Sequence, residues 1–227
     1  MCIRDSYYIG TTITVNVAAS NGAAVDAVIL AGGLARRMGG CDKGLVELAG
    51  MPMVQWVLQR VSPQVERVTI NANRNIERYS ALGAAVLPDS RSGHIGPLAG
   101  LATALDHFAT DADNSNIKRR VFMCPCDSPF LPHDMVARMS VSMNAADANV
   151  AVATDGQRQQ PVFLLVDSSC RDSLVEFLDS GERKIDRWFS SERVCDVEFS
   201  DHPMAFRNIN TEEELRLVEE ELQGNAS

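Results

Sequence analysis

No apolar run in the 227-residue chain approaches the roughly 20 residues needed to cross a bilayer. A secretory signal is missing too, because Arg4 and Asp5 lead into a polar, Thr-rich stretch rather than an apolar one. A cytoplasmic location, with no membrane partner, is the expectation. Basic charge is in deficit: 21 Lys and Arg stand against 30 Asp and Glu, a net charge of −9. Nucleic acids are held by clustered cations along the phosphate backbone, so a nucleic-acid partner is set aside. A small anionic ligand, which needs only a few local cations, is not. The six cysteines (Cys2, Cys41, Cys124, Cys126, Cys170 and Cys195) include no C-x-x-C pair and no disulfide-like density, as suits a reducing compartment. No internal repeat and no linker-like stretch divides the chain, which favours one domain.

Two signals are present in the chain. Apolar residues at 45% and charged residues at 22% are the mixture of a domain with a real core. Residues 1–24 carry no period and are set apart as an N-terminal extension, leaving 25–227 as the working domain. Ala27 to Ala31 is a short apolar run of the kind found in strands buried on both faces. Helical patterns over Met53–Val61, Asn75–Leu82 and Leu98–Phe108 then alternate with strands over Arg67–Ile70, Ala84–Leu87 and Val121–Cys124. Such alternation implies an α/β fold with a mostly parallel sheet built from right-handed crossovers. The polar segment Asp111–Arg120 reads as a surface connection. Beyond residue 130 the pattern loosens. Strands are expected over Asn149–Ala153, Val162–Val166 and Val194–Phe199, with a turn at Thr154-Asp155-Gly156. Helices are expected over Ser168–Leu178 and Thr211–Leu222, the second opened by a Thr211/Glu214 capping box.

The strongest chemical signal is Leu30-Ala31-Gly32-Gly33-Leu34-Ala35-Arg36-Arg37-Met38-Gly39-Gly40-Cys41-Asp42-Lys43-Gly44. Glycines let main-chain N–H groups approach phosphate oxygens, and Arg36, Arg37 and Lys43 supply the counter-charge. The loop spells neither the dinucleotide fingerprint nor the Walker phosphate loop. A solvated Gly-rich turn is the bland alternative. The loop's place at the carboxyl end of the first strand, where open α/β sheets bind ligands, favours function.

Asp127, in Cys124-Pro125-Cys126-Asp127-Ser128-Pro129, also ends a buried strand. It suits Mg²⁺, which takes one or two carboxylates plus phosphate oxygens. Cys124 and Cys126 are spaced poorly for zinc and read as small core residues. Asn71 and Asp89 end two further strands. Each can read a base or ribose, or form only an Asx turn. Gly96-Pro97-Leu98-Ala99-Gly100 opens a helix, with capping and close packing about as plausible as substrate contact. His94 reads as a surface histidine. Ser180-Gly181-Glu182-Arg183-Lys184 is either a solvated turn or a seat for a second anionic group. Asn208 and Asn210 either shape the start of the last helix or touch a metal or phosphate.

These segments, in this order, resemble the molybdenum cofactor guanylyltransferases. The likeness rests on LAGG-x-x-RRMGG-x-DKG, TINANR, PDS, GPLAG, CPCDSP, SGERK and FRNINT-x-EEL, and runs from about residue 26 to the end. It implies a Rossmann-like three-layer nucleotidyltransferase fold and transfer of GMP from GTP to molybdenum-molybdopterin, with Mg²⁺ as cofactor and pyrophosphate as the second product. Molybdoenzymes or their chaperones would be downstream partners, and a monomer is implied.

By the same resemblance Leu30, Ala31, Gly32 and Gly33 lie along the guanine nucleotide and Lys43 on its phosphates. Asn71 and Asp89 sit near base and sugar, and Asp127 on nucleotide and Mg²⁺. Arg37 joins Lys43 and Asp127 as catalytic, with Gly40 beside it. Gly96, Gly100, Arg183, Asn208 and Asn210 fall to the cofactor substrate, the last three nearest it. The rivals are a cytidylyltransferase for the same cofactor, a sugar-1-phosphate nucleotidyltransferase and an inactive nucleotide- or cofactor-binding protein. The Gly32-Gly33 pair, which leaves room for a purine, and Asp89 lean towards guanine. The intact Lys43 and Asp127 argue against inactivity.

Overall fold

Val28 and Ile29 are adjacent in sequence, have no exposed surface, and belong to opposite cores. They lie in β1 (Ala23–Leu30), whose side chains alternate between two covered faces, so the run is apolar throughout rather than at every second residue. The computed structural model describes residues 23–32, 34–35, 41–90, 96–109 and 118–224. β1 begins at Ala23, two residues before the expected start of the domain, because Ala23 and Ala24 already pair with Lys118 and Arg119.

The other strands of the main sheet are β2 (Arg67–Asn71), β3 (Ala85–Leu87), β4 (Lys118–Pro125), β5 (Val150–Thr154), β6 (Gln159–Asp167) and β7 (Val194–Glu198). Their order is β3-β2-β1-β4-β6-β5-β7. Every pairing is parallel except those of β6, which runs antiparallel to β4 and to β5. The reversal comes from the turn after β5. There the Asp155 carboxylate accepts from the Gln157 and Arg158 amides, and Gly156 takes a φ of +87°.

One face of the sheet is covered by α1 (Met53–Val61), α2 (Ile76–Ser80) and α4 (Met135–Ala145). The other is covered by α3 (Pro97–Ala109), α5 (Arg171–Asp179) and α6 (Ile185–Phe189). The last helix, α7 (Glu212–Gly224), forms a small third core in which Val218 joins Leu48, Met53 and Ile209. These are the three layers expected of the fold, with the expected sheet. The end of the polar segment 111–120 differs from expectation, since Lys118–Arg120 is strand. Its charge is tolerated because Arg119 pairs with the fully buried Asp26 on β1.

The chain runs from β1 to β2 to β3 in one direction and then places β4 on the other flank of β1. At such a switch the connections leave on opposite sides and open a crevice beyond the carboxyl ends of the two central strands. Register sets the rim: Leu30 lies level with Asn71 on one side and Pro125 on the other.

Candidate active site

Three segments distant in sequence meet at this rim. Lys43, in a single 3₁₀ turn after the loop that follows β1, places its ammonium against Asp127 Oδ2 and donates to Asn210 Oδ1 at 2.5 Å. Asp127 is two residues past β4, and its main chain is held on both sides. The Cys126 amide donates to the Leu30 carbonyl at 3.1 Å, and the Asp127 carbonyl accepts from the Ile209 amide at 3.2 Å. Ser128, fully buried, donates to Asn208 Oδ1 at 2.5 Å. The segment before α7 is therefore stitched along the one after β4.

A capping box fixes the far end of that segment. Glu214 accepts from the Asn210 and Thr211 amides at 2.6 and 3.0 Å, and its own amide donates to the Thr211 hydroxyl at 3.1 Å. These amides, the first of them Asn210, hold the Glu214 carboxyl below its ordinary range.

Asp127 is 8% exposed. Its Oδ1 is buried with no hydrogen-bond partner among the described residues, while Oδ2 faces Lys43. A buried carboxylate oxygen left unpaired costs free energy unless something cationic or protic completes it. That fits a metal ion held by one carboxylate and otherwise by its ligand's oxygens. Among the described residues no group of three or more Asp, Glu, His or Cys could enclose an ion unaided. The donor set accordingly suits Mg²⁺, which keeps much of its shell for water and phosphate.

A second cluster sits two strands away, roughly 10 Å along the rim. Asn71 Nδ2 donates to the Leu87 carbonyl at 3.0 Å and to Asp89 Oδ1 at 2.9 Å. Asn73 returns to Asp89 twice, donating to Oδ2 at 2.9 Å and accepting from the Asp89 amide at 2.8 Å. Asn71 and Asp89 thus form one assembled group. Leu30, Ala31 and Gly32 leave β1 between the two clusters, with Ala31 buried and Gly32 exposed.

Gly100 lies beneath, in α3. A Cβ there would meet Asn71 Oδ1 at 2.4 Å and a Leu30 methyl at 2.6 Å, so its absence lets the helix press against the rim. Gly96 opens α3 with a φ of +133°, which L side chains rarely adopt. The structure therefore gives both glycines backbone reasons beside any substrate role.

Asn208 and Asn210, grouped with the second substrate by resemblance, contact Ser128 and Lys43. Asn210 therefore stands beside Lys43 and Asp127 in the crevice. Arg183 spends one guanidinium nitrogen on the main-chain carbonyls of Leu178 and Glu182. No described contact joins it to Lys43 or Asp127. β6 ends beside Arg120 at the far edge, and Arg171 at the start of α5 pairs with Asp106 near the end of α3. α5 thus begins beside the end of α3. Gly33, Arg36, Arg37, Gly40 and His94 lie outside the described residues, as do residues 1–22.

Asp42, Tyr79, Asn75, Asn73 and Ser128 were not singled out from sequence. The first three form one group, in which Asp42 accepts from Tyr79 and Asn75. No local pattern could have joined residues 33 and 37 positions apart. Asp42, Asn73 and Ser128 were each inside a quoted motif, within two residues of a chosen residue. Cys124 and Cys126 are buried thiols, and burial pushes both well above the ordinary thiol range.

Residues 27–194 match the MobA-like NTP transferase domain. A molybdenum cofactor guanylyltransferase of Shewanella pealeana is 52% identical over 198 residues, covering 87% of this chain and 95% of that protein. One from Shewanella halifaxensis is 51% identical over the same shares. Among solved structures, molybdopterin-guanine dinucleotide biosynthesis protein A of Archaeoglobus fulgidus superposes with a TM-score of 0.69. It is 23% identical and covers 88% of this chain and 99% of that one. A nucleotidyl transferase of Methanothermobacter thermautotroptrophicus gives 0.66 at 19% identity, over 90% and 100%. At these identities the two structures speak for the fold alone.

Proposed function

The chain belongs to the molybdenum cofactor guanylyltransferases, nucleotidyltransferases with a MobA-like NTP transferase domain, and from that premise we propose that it transfers GMP from GTP to molybdenum-molybdopterin in a Mg²⁺-dependent reaction. The observation that carries the proposal is the meeting of Lys43, Asp127 and Asn210 at the topological switch of the sheet. One cation and one incompletely satisfied carboxylate there fit a metal-bound triphosphate.

The chemistry needs no protein nucleophile. The terminal phosphate of molybdopterin is already anionic. One of its oxygens attacks the α-phosphorus, a new P–O bond forms, and the α–β bridging bond breaks, its electron pair leaving with pyrophosphate. The chain's work is positioning and charge stabilisation. Asp127 would hold Mg²⁺ through Oδ1, which has no hydrogen-bond partner among the described residues. Bound there, the ion supplies stabilisation of charge on the triphosphate and the departing pyrophosphate.

Lys43 is kept at the crevice by Asp127 and Asn210 and offers its ammonium to the phosphates as they arrive. Asn71 and Asp89, already joined, would present a fixed donor–acceptor edge to base or ribose. The exposed Gly32 leaves the main chain open beside the nucleotide. The turn at Ser180–Lys184 would offer Lys184 and Arg183 to the second substrate.

The test is a panel of GTP, CTP and ATP incubated with purified protein, with and without Mg²⁺ and molybdopterin, read by pyrophosphate release. Release is expected only with GTP, Mg²⁺ and molybdopterin together. CTP as the preferred donor would overturn the base assignment, and equal release without molybdopterin would overturn the acceptor.

A further inference from the structure

Lys43 is the cation on which the proposed function turns, yet its own neighbours at the tip of its side chain do not explain how its main chain is held. The explanation lies one residue earlier. Both oxygens of Asp42, a residue 7% exposed, are engaged from α2 and the residue before it. Oδ1 accepts from the Tyr79 hydroxyl at 2.5 Å, and Oδ2 accepts from Asn75 Nδ2 at 3.0 Å. Asp42 stands where it could cap the turn that begins at Lys43, but it makes no such bond. Its side chain is turned away from the ordinary use of an Asp at a helix start.

Tyr79 has no exposed surface, so its hydroxyl has few places to go. It donates to Asp42 and lies 3.5 Å from the carbonyl of Ala31, where the chain leaves β1. Burial and the Asp42 carboxylate raise the phenol well above its ordinary range, which keeps the proton on the oxygen as a donor. On the far side of Lys43, Gly44 packs on the same ring. A Cβ at Gly44 would stand 2.6 Å from the Tyr79 oxygen and 3.3 Å from Cys126 Sγ. The residue before Lys43 is thus bonded to Tyr79, and the residue after it is pressed against Tyr79.

We propose that Tyr79, acting through Asp42, is a positioning residue that sets where the Lys43 ammonium meets the triphosphate. The inference rests on the function proposed above. A ring without the hydroxyl still fills the core but leaves Asp42 held by Asn75 alone, so the residues around Lys43 gain freedom while the fold keeps its packing. Misplacing a charge-stabilising group by about 1 Å costs up to roughly a hundredfold in rate.

The experiment is a double-mutant cycle of wild type, Tyr79→Phe, Lys43→Ala and the double variant, read as kcat and KM for GTP alongside thermal unfolding. Tyr79→Phe is expected to lower kcat/KM for GTP about tenfold in the wild-type background and less than about twofold once Lys43 is gone, because a positioning effect vanishes with the group it positions. A similar loss in both backgrounds would mean that Tyr79 acts only on the fold, and no loss in the wild-type background would mean that it does nothing for Lys43. Either overturns the inference. Asp42→Asn run through the same cycle is expected to repeat the pattern, and it carries the test if Tyr79→Phe does not fold. Wild-type turnover is the control: its absence takes down the functional reading together with this one, whereas an additive cycle in an active enzyme strikes this one alone.

Discussion

Asp26 lies on β1 and Asp127 just past the end of the adjacent β4; both are buried, and they are treated in opposite ways. Asp26, midway along β1, has both oxygens paired. Arg67 Nε donates to Oδ1 at 2.7 Å, while Arg67 Nη2 and Arg119 Nη1 donate to Oδ2 at 2.9 and 2.7 Å. Asp127, beyond β4 at the carboxyl edge, has one oxygen without a hydrogen-bond partner among the described residues and the other facing Lys43. A carboxylate that serves the fold is closed by the fold. One that serves a ligand is left with capacity that only a ligand completes. Burial alone does not separate the two roles, but the count of filled lone pairs does.

Exchanging the two losses sharpens the contrast. Asp127→Ala is expected to lower kcat by at least about 10³-fold, equivalent to roughly 4 kcal/mol of transition-state stabilisation, with little change in the denaturation midpoint. Steady-state kinetics beside urea unfolding checks both halves, and wild-type turnover in that variant would break the comparison. Asp26→Ala is expected to do the reverse. It removes the buried carboxylate shared by Arg67 and Arg119 and costs about 2–3 kcal/mol of stability, while kcat per folded molecule stays at the wild-type level. Gly100→Ala should fall between them, since its methyl collides with Asn71 and Leu30 under the rim. A stability loss of about 1–3 kcal/mol is expected, with KM for GTP raised several-fold and kcat less affected. An unchanged KM would detach Asn71 from the nucleotide.

The residues on the acid side of this comparison were legible in sequence because strands end where apolar runs end. Asn71, Asp89 and Asp127 each follow such a run, and a parallel sheet brings those ends to one edge. The Thr211/Glu214 box was legible for a similar reason, being a contact between residues three apart.

What pattern could not supply was partnership across the chain. Nothing local joins Lys43 to Asn210, 167 residues on, or Asp42 to Tyr79, whose place in a short helix looks like plain core. The direction of β6 was hidden as well, because apolar runs buried on both faces read alike in either sense. Helix α4 drew no bounds from the sequence, although its buried Met135, Met139 and Met143 recur every four residues. α6 is one short turn-rich element whose Trp188 and Phe189 declare burial but not helix.

The central claim is that Oδ1 of Asp127 and the ammonium of Lys43 serve one metal-bound triphosphate. A crystal structure of the protein with GTP and Mn²⁺ in place of Mg²⁺, with the metal located by its anomalous signal, tests it most directly. The expected result is the ion coordinated by an Asp127 oxygen, with Lys43 moved from that carboxylate onto a phosphate of the same GTP. Metal density away from Asp127, or a triphosphate out of reach of Lys43, would contradict it.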